Sequence, residues 1–400
     1  MKKLISKTEK SQYEYLIRTL SAAVNKKIPP LPGDNLNWDM MISIAKSCSV
    51  EAAFANAVLS IGNLSFLPEN VIKELNTIKN KGIFIDSVRE FEIKKILQKF
   101  DDNKVKNVPL KGYFLKYEYP RTDFRSICDY DILFDEKDLP KVRRIFEELG
   151  YKYIKKDDSQ HHFVKQPNMY VEMHSSLVHL DNRHYTFLKD KLNQSSKAGE
   201  YSYSYNMSLE DFYIFMLVHS SNHFISGGMG IRMVLDIYVF YQNHREEFDY
   251  EYLSKTLSKM KLDIFENKVR KIAFKWFSVE PDLSKFSDAE VYILLSNTLG
   301  RLSVSVMSES EKISSKDKSR KNRFTYLLSS IFKPLDSLKY TYTYLKKYPF
   351  LLPFAWLSFW CNRIFVKKDV NIKRGLQNRL NYTREDVDYF NNILNEVGLK

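Results

Sequence analysis

The chain has 400 residues, 62 Lys or Arg against 49 Asp or Glu, and a formal net charge of +13 with histidines neutral. Its 44% apolar and 28% charged residues make an ordinary globular composition, which excludes wholesale disorder, collagen-like repeats and a coiled-coil rod. Only 12 glycines beside 26 Tyr and 27 Phe argue against glycine-rich cofactor loops and for a chain with much helix.

Residues 1–103 read as a helical lobe. Tyr13, Tyr15, Leu16, Leu20 and Val24 recur at roughly helical spacing, the 29–33 run Pro-Pro-Leu-Pro-Gly breaks the pattern, and 40–59 resumes it with Ala and Ser at close-packing positions. From Glu69 the apolar spacing predicts one or two more helices, closed by Asp101, Asp102 and Asn103. The texture changes at Lys104: 105–110 is a short apolar run, and 127–134, 151–154, 162–165 and 169–174 read as strands. A helix over 138–149 ends in Leu149-Gly150-Tyr151, a C-cap glycine followed by a strand. Residues 104–206 are thus a small α/β unit.

Ser208, with Glu210 and Asp211 behind it, starts a further helix, and 207–310 reads as a second helical region. Residues 311–400 hold 18 Lys or Arg and 8 Asp or Glu, so +10 of the total charge lies there. Within them, 348–366 is rich in Phe and Trp, carries the single charge Arg363, and is flanked by lysines at 346, 347, 367 and 368. Pro349, Pro353, Asn362 and Arg363 cut the run too short for a span. Burial against the helical lobe and a helix lying on an anionic membrane surface are the competing readings of 346–368. Nucleic acid ranks lower, because the aromatics form one apolar block and are not interleaved with Arg and Lys. Cys48, Cys128 and Cys361 are scattered and fit neither a disulfide framework nor a zinc site, and the N-terminus turns polar at Ser6. These features predict a cytoplasmic protein, peripheral on the inner membrane face if 346–368 binds lipid.

The chemistry is concentrated in 109–236. In an extended strand Asp129 and Asp131 share a face, and two adjoining carboxylates are costly against a packed sheet unless a cation such as Mg²⁺ joins them. Glu172 and His174 share a face of another strand. Lys111 and Gly112 sit where a strand turns into a helix, a place for phosphate oxygens, and Arg125 can reach the same anion. His219 and His223 are four apart on one helix, but no Glu follows His219 as in a zinc hydrolase motif, so a structural pair touching the core or Asp236 is the reading.

These residues resemble the uncharacterised nucleotidyltransferases of the DNA polymerase β-like superfamily. A Lys-Gly turn (Lys111, Gly112), an Arg (Arg125), an Asp-x-Asp strand (Asp129, Asp131), a helix ending in Gly-Tyr (Gly150, Tyr151) and a Glu-x-His strand (Glu172, His174) follow that order, and the helix pair with His219, His223, Arg232 and Asp236 is also similar. The resemblance implies an α+β fold, with a small mixed-sheet core between helical lobes in a mostly helical chain. It implies that Asp129, Asp131 and Glu172 are catalytic and hold Mg²⁺ or Mn²⁺. Lys111, Gly112, Arg125 and His174 would bind the NTP, and His219, His223, Arg232 and Asp236 would support the cleft. The reaction would be in-line transfer of a nucleoside monophosphate to a hydroxyl of a small molecule, sugar or protein, by a two-metal displacement. The alternative is an inactive nucleotidyltransferase-like binding or scaffold protein at a membrane-bound polysaccharide assembly.

Overall fold

The computed structural model describes residues 5–33, 36–157, 160–167, 169–178, 182–197, 200–296, 332, 335–338, 342–361 and 384–400. Helix α1 (Lys7–Val24) opens with a reciprocal cap, in which Ser6 Oγ accepts from Glu9 N at 3.1 Å and Glu9 Oε2 accepts from Ser6 N at 3.0 Å. After the Pro-rich break come α2 (Trp38–Ser47) and α3 (Glu51–Leu59). The small side chains Ala52, Ala53, Ala55 and Ala57 let α3 lie close to α1 and α4, and all four are buried.

The spacing that allowed one or two helices after Glu69 forms one, α4 (Glu69–Asp102). No Pro interrupts it, and its buried apolar residues lie toward the two ends, while Ile83, Phe84 and Phe91 between them stand exposed. Val71 and Leu75 enter the core shared with α1 to α3, while Ile93, Ile96, Leu97 and Phe100 enter the core of the sheet. The middle turns bury little and bridge the two.

The sheet contains β1 (Asn107–Pro109), β2 (Tyr130–Phe134), β3 (Lys152–Asp157), β4 (Gln160–Lys165) and β5 (Met169–His174) in the order β1-β2-β5-β4-β3. Only β2 and β5 run parallel; the other neighbours are antiparallel. Between β1 and β2 lies the short helix α5 (Lys111–Leu115), and between β2 and β3 lies α6 (Leu139–Glu148). Gly150 adopts φ +80°, which a side chain rarely tolerates, and ends α6: its N–H reaches Glu147 O at 2.9 Å while Tyr151 N–H reaches Phe146 O at 2.8 Å.

Period-2 alternation divides the sheet's faces. Tyr130, Ile132, Phe134, Phe163, Val171 and Met173 pack on α4 and α6. Phe146 stacks on Phe163 with centroids 4.1 Å apart, worth about 0.5–1.5 kcal/mol beyond area burial. Asp131, Glu172 and His174 alternate with these and occupy the other face. After β5 come α7 (Tyr185–Leu188), α8 (Lys191–Gln194), α9 (Leu209–Ser226), α10 (Ile231–His244), α11 (Tyr250–Met260), α12 (Asp263–Phe277) and α13 (Asp288–Leu294). Ser208 caps α9 as predicted, accepting from Asp211 N at 3.1 Å. Apolar residues of α9 to α13 and of the helix Arg384–Glu396 share one core with α1 to α3. The two helical regions therefore meet each other as well as flanking the sheet.

Within the predicted helical region 207–310, the last described helix is Asp288–Leu294, and residues 297–310 lie outside the described residues. In the aromatic run, Ala355 of the helix Leu352–Cys361 is buried with Leu338 and Leu345 in a small separate cluster. Phe350, Phe354 and Leu357 are 74%, 65% and 64% exposed. Residues 362–366 lie outside the described residues, and among those described no helix is long and apolar enough to cross a membrane.

Candidate active site

Strand register assembles the acidic group. Asp131 on β2 stands opposite Glu172 on β5, and Glu172 stands opposite His162 on β4. Three neighbouring strands thus contribute one row of side chains on one face, with His174 two residues along β5. One ligand atom from each of Asp131, Glu172 and His174 lies within 4.8 Å of the others. His174 Nε2 is 2.7 Å from Asp131 Oδ1 and 3.7 Å from Glu172 Oε2, and His162 Nδ1 is 3.3 Å from Glu172 Oε1.

The Lys-Gly turn faces this group. Leu110 N donates to Asp131 O at 2.9 Å, tying the turn to β2, and Lys111 Nζ reaches Asp131 Oδ2 at 3.3 Å. Lys111 has φ +35°, unusual for a residue with a side chain and a mark of local strain. A Cβ at position 112 would lie 3.0 Å from Arg125 Nη1 and 3.2 Å from Ile127 Cγ2, so glycine lets the turn approach the 125–127 segment.

Arg125, expected at the triphosphate, and Asp236, expected as cleft support, form one buried fork. Nε reaches Oδ1 at 2.8 Å and Nη2 reaches Oδ2 at 2.9 Å, and Tyr119 Oη donates to Asp236 Oδ1 at 2.7 Å. Two guanidinium donors are therefore engaged in holding the wall of the cleft. Arg232 Nη1 donates to Ser126 O at 3.1 Å, bracing the same wall from α10. His219 and His223 lie across the cleft on α9 with ring centroids 4.5 Å apart. Burial, with Lys111 next in effect, drives both rings to the neutral form. Among the described residues the candidate metal-ligand group excludes them.

These walls enclose a cavity of about 370 Å³ lined by Lys111, Gly112, Arg125, Asp129, Asp131, Glu172 and His174, with His219, His223, Arg232 and Asp236 opposite. Its size is that of a small-molecule site. All eleven candidate residues named from the sequence line it. Asp129 stands just before β2, outside the trio whose ligand atoms converge. His162, opposite Glu172 on β4, is not among those eleven. The short link from Lys165 to Met169 makes β4 and β5 an antiparallel pair, and counting back along it puts His162 opposite Glu172.

The carboxylates differ in state. Burial lifts Asp129 above the usual carboxylate range, with Asp131 adding to it, and Glu172 is raised by burial, Asp131 and Asp129. Burial also opposes ionisation of Asp131, but Lys111 and then His174 outweigh it and hold that carboxyl well below the usual range. The folded protein binds protons at Asp129 and Glu172 more readily than the unfolded chain does. Their contribution to stability accordingly falls as pH rises through their raised values, while that of Asp131 is full above the ordinary carboxylate range and is lost as pH falls from there toward its lowered value. A divalent cation would relieve the repulsion. Calorimetric titration of Mn²⁺ is therefore expected to show affinity rising with pH to a plateau, with the midpoint above the ordinary carboxylate range of about 4. Affinity that does not change between about pH 5 and about pH 8 would separate these carboxyls from metal binding.

A mixed sheet bearing adjoining carboxylates on parallel central strands, faced by a lysine turn and closed by helices, is the layout of a nucleotidyltransferase core. The chain belongs to the family described as uncharacterised nucleotidyltransferase, whose model matches residues 34–278. That membership assigns it to nucleotidyl transfer in general terms. No curated protein matches it. Among solved structures, one similar chain is the antibiotic-resistance factor ANT(2'')-Ia, at 13% identity over 44% of this chain and 94% of the other, with a TM-score of 0.34.

Proposed function

We propose that the protein transfers a nucleoside monophosphate from an NTP to a hydroxyl group of a small molecule, sugar or protein. The observation that carries this reading is the row Asp131–Glu172 on parallel neighbouring strands with Lys111 Nζ 3.3 Å from Asp131. Asp131 and Glu172, with Asp129 beside them, are oxygen donors suited to Mg²⁺ or Mn²⁺. When bound, such an ion supplies charge neutralisation on the triphosphate and acidifies the attacking hydroxyl.

Lys111 and the backbone N–H groups of its turn neutralise phosphate oxygens. The acceptor oxygen bonds to the α-phosphorus as the bridging P–O bond breaks, and pyrophosphate leaves. Glu172, with its raised pKa, takes the hydroxyl proton at Oε1, where His162 stands 3.3 Å away. The Arg125–Asp236 fork and the Arg232–Ser126 bond hold the wall against which the nucleotide rests. A second reading, nucleotide binding or scaffolding without turnover, is favoured by the Asp131 charge being met already by Lys111 and His174.

Incubation with each γ-labelled NTP and Mg²⁺ is expected to release labelled pyrophosphate, and Asp129→Asn with Asp131→Asn is expected to stop it. Release that survives the double exchange would overturn the assignment. Binding without release would leave the second reading.

A peripheral place on the inner face of an anionic membrane is proposed on separate ground. The exposed row Phe350, Phe354 and Leu357 lies beside the exposed Lys347, in the 90 residues that carry +10. The full chain is expected to float with vesicles containing anionic lipid and to come off in salt, and Phe350→Ser with Phe354→Ser is expected to abolish flotation. Equal recovery with neutral vesicles, or none with either, would contradict it.

A further inference from the structure

Among the described residues, three cationic side chains line the cleft, Lys111, Arg125 and Arg232, and they differ in how their charge is met. Lys111 Nζ stands 3.3 Å from Asp131 Oδ2, and the Arg125 fork is closed on Asp236. Arg232 on α10 is half-buried and forms no ion pair among the described residues. Its Nη1 donates to a neutral group, Ser126 O, at 3.1 Å, and its Nε is buried with no hydrogen-bond partner among them.

The acid that would ordinarily meet this charge is committed elsewhere. Asp236, one turn further along α10, shares a helix face with Arg232 and is placed to pair with it. Its Oδ1 instead accepts from Arg125 Nε at 2.8 Å and Tyr119 Oη at 2.7 Å, and its Oδ2 accepts from Arg125 Nη2 at 2.9 Å. Asp129 and Glu51 feel the Arg232 charge, yet burial holds both carboxyls above the usual range and neither pairs with it. Arg232 also stands in the first turn of α10, behind N-cap Gly230, where the helix dipole disfavours positive charge. A half-buried guanidinium at that end of a helix, without a counter-charge, is completed by an anion entering the cleft.

We propose that Arg232 binds the β- and γ-phosphates of the NTP together with the Lys111 turn, and holds them as they leave as pyrophosphate. When the bridging bond to the α-phosphorus breaks, its electron pair stays on the bridging oxygen of the β-phosphate, and Arg232 meets the negative charge that grows there. Lys111 serves the same anion, but its charge is shared with Asp131. The assignment rests on the nucleotidyl-transfer reading for the identity of the anion, while binding of the anion is measured without turnover.

The test is calorimetric titration of the full-length protein with Mn²⁺ alone, and then with tripolyphosphate in the presence of Mn²⁺. Arg232→Gln is expected to weaken tripolyphosphate by about tenfold or more, the worth of one charge-assisted bond. Mn²⁺ alone is expected to bind that variant at least as tightly as the parent, because a cation has left the cleft. Arg232→Met makes the same comparison where the Gln variant does not fold, and Arg232→Lys is expected to restore much of the tripolyphosphate affinity. A side chain that only braces Ser126 would weaken both titrants together on removal, and that result would overturn the proposal. So would tripolyphosphate affinity unchanged in Arg232→Gln, or absent from the parent protein. A non-hydrolysable NTP is expected to displace tripolyphosphate; simultaneous binding of the two, still sensitive to Arg232→Gln, would give Arg232 to the acceptor and overturn the assignment. Tripolyphosphate binding that follows these rules in a protein releasing no pyrophosphate would keep Arg232 as the anion site and remove only the transfer reading.

Discussion

Asp236→Ala is expected to destabilise the protein by about 3–5 kcal/mol, because it strips the partner from a charge that cannot be given up. The Arg125 guanidinium is 8% exposed and stays protonated in any accessible range. It loses both forked bonds, and the Tyr119 hydroxyl loses its acceptor in the same step. Paired exchange to Arg125→Met and Asp236→Leu is expected to recover much of the loss, since apolar side chains of similar volume often replace a buried pair at little cost. Urea denaturation of the parent protein and the two variants measures this. A loss below about 1 kcal/mol for Asp236→Ala would mean that the pair behaves as a solvated surface bridge.

The second large effect falls on turnover. Asp131→Asn is expected to lower kcat by about a hundredfold to a thousandfold or more, the range for removing a central electrostatic group. Asn keeps the shape but cannot hold charge against Lys111 and His174, both of which contact the Asp131 carboxylate. Asp129→Asn is expected to cost less, because Asp129 lies outside the converging trio. Steady-state kinetics on both single variants separates the two. Equal losses would restore the symmetric pair that Asp-x-Asp suggests from sequence alone.

The fold's local signals were legible where one residue type has one physical use. Gly150 at a left-handed C-cap, Ser208 at an N-cap and the alternation around Asp131 each pointed to the element that formed. The continuity of α4 was not legible, because its two ends bury apolar residues in different cores while Ile83, Phe84 and Phe91 between them stay exposed, so no single apolar face runs its length. The candidate cleft was readable because strand alternation puts Asp131 and Glu172 on faces that pairing can bring together. The role of Arg125 was not: a cation before an acidic strand looks like an anion ligand, and only the tertiary approach of α10 shows two of its donors turned to Asp236. His162 lay within reach of the sequence through the length of the β4–β5 connection.

In the proposed reaction the Asp131–Glu172 row and the Lys111 turn act as one metal–triphosphate site. Calorimetric titration of a non-hydrolysable NTP into the protein, with and without Mn²⁺, tests it most directly. Tight binding is expected only with the ion present, lost in Asp131→Asn and weakened in Lys111→Ala. Binding of equal strength without Mn²⁺ and in Asp131→Asn would contradict it.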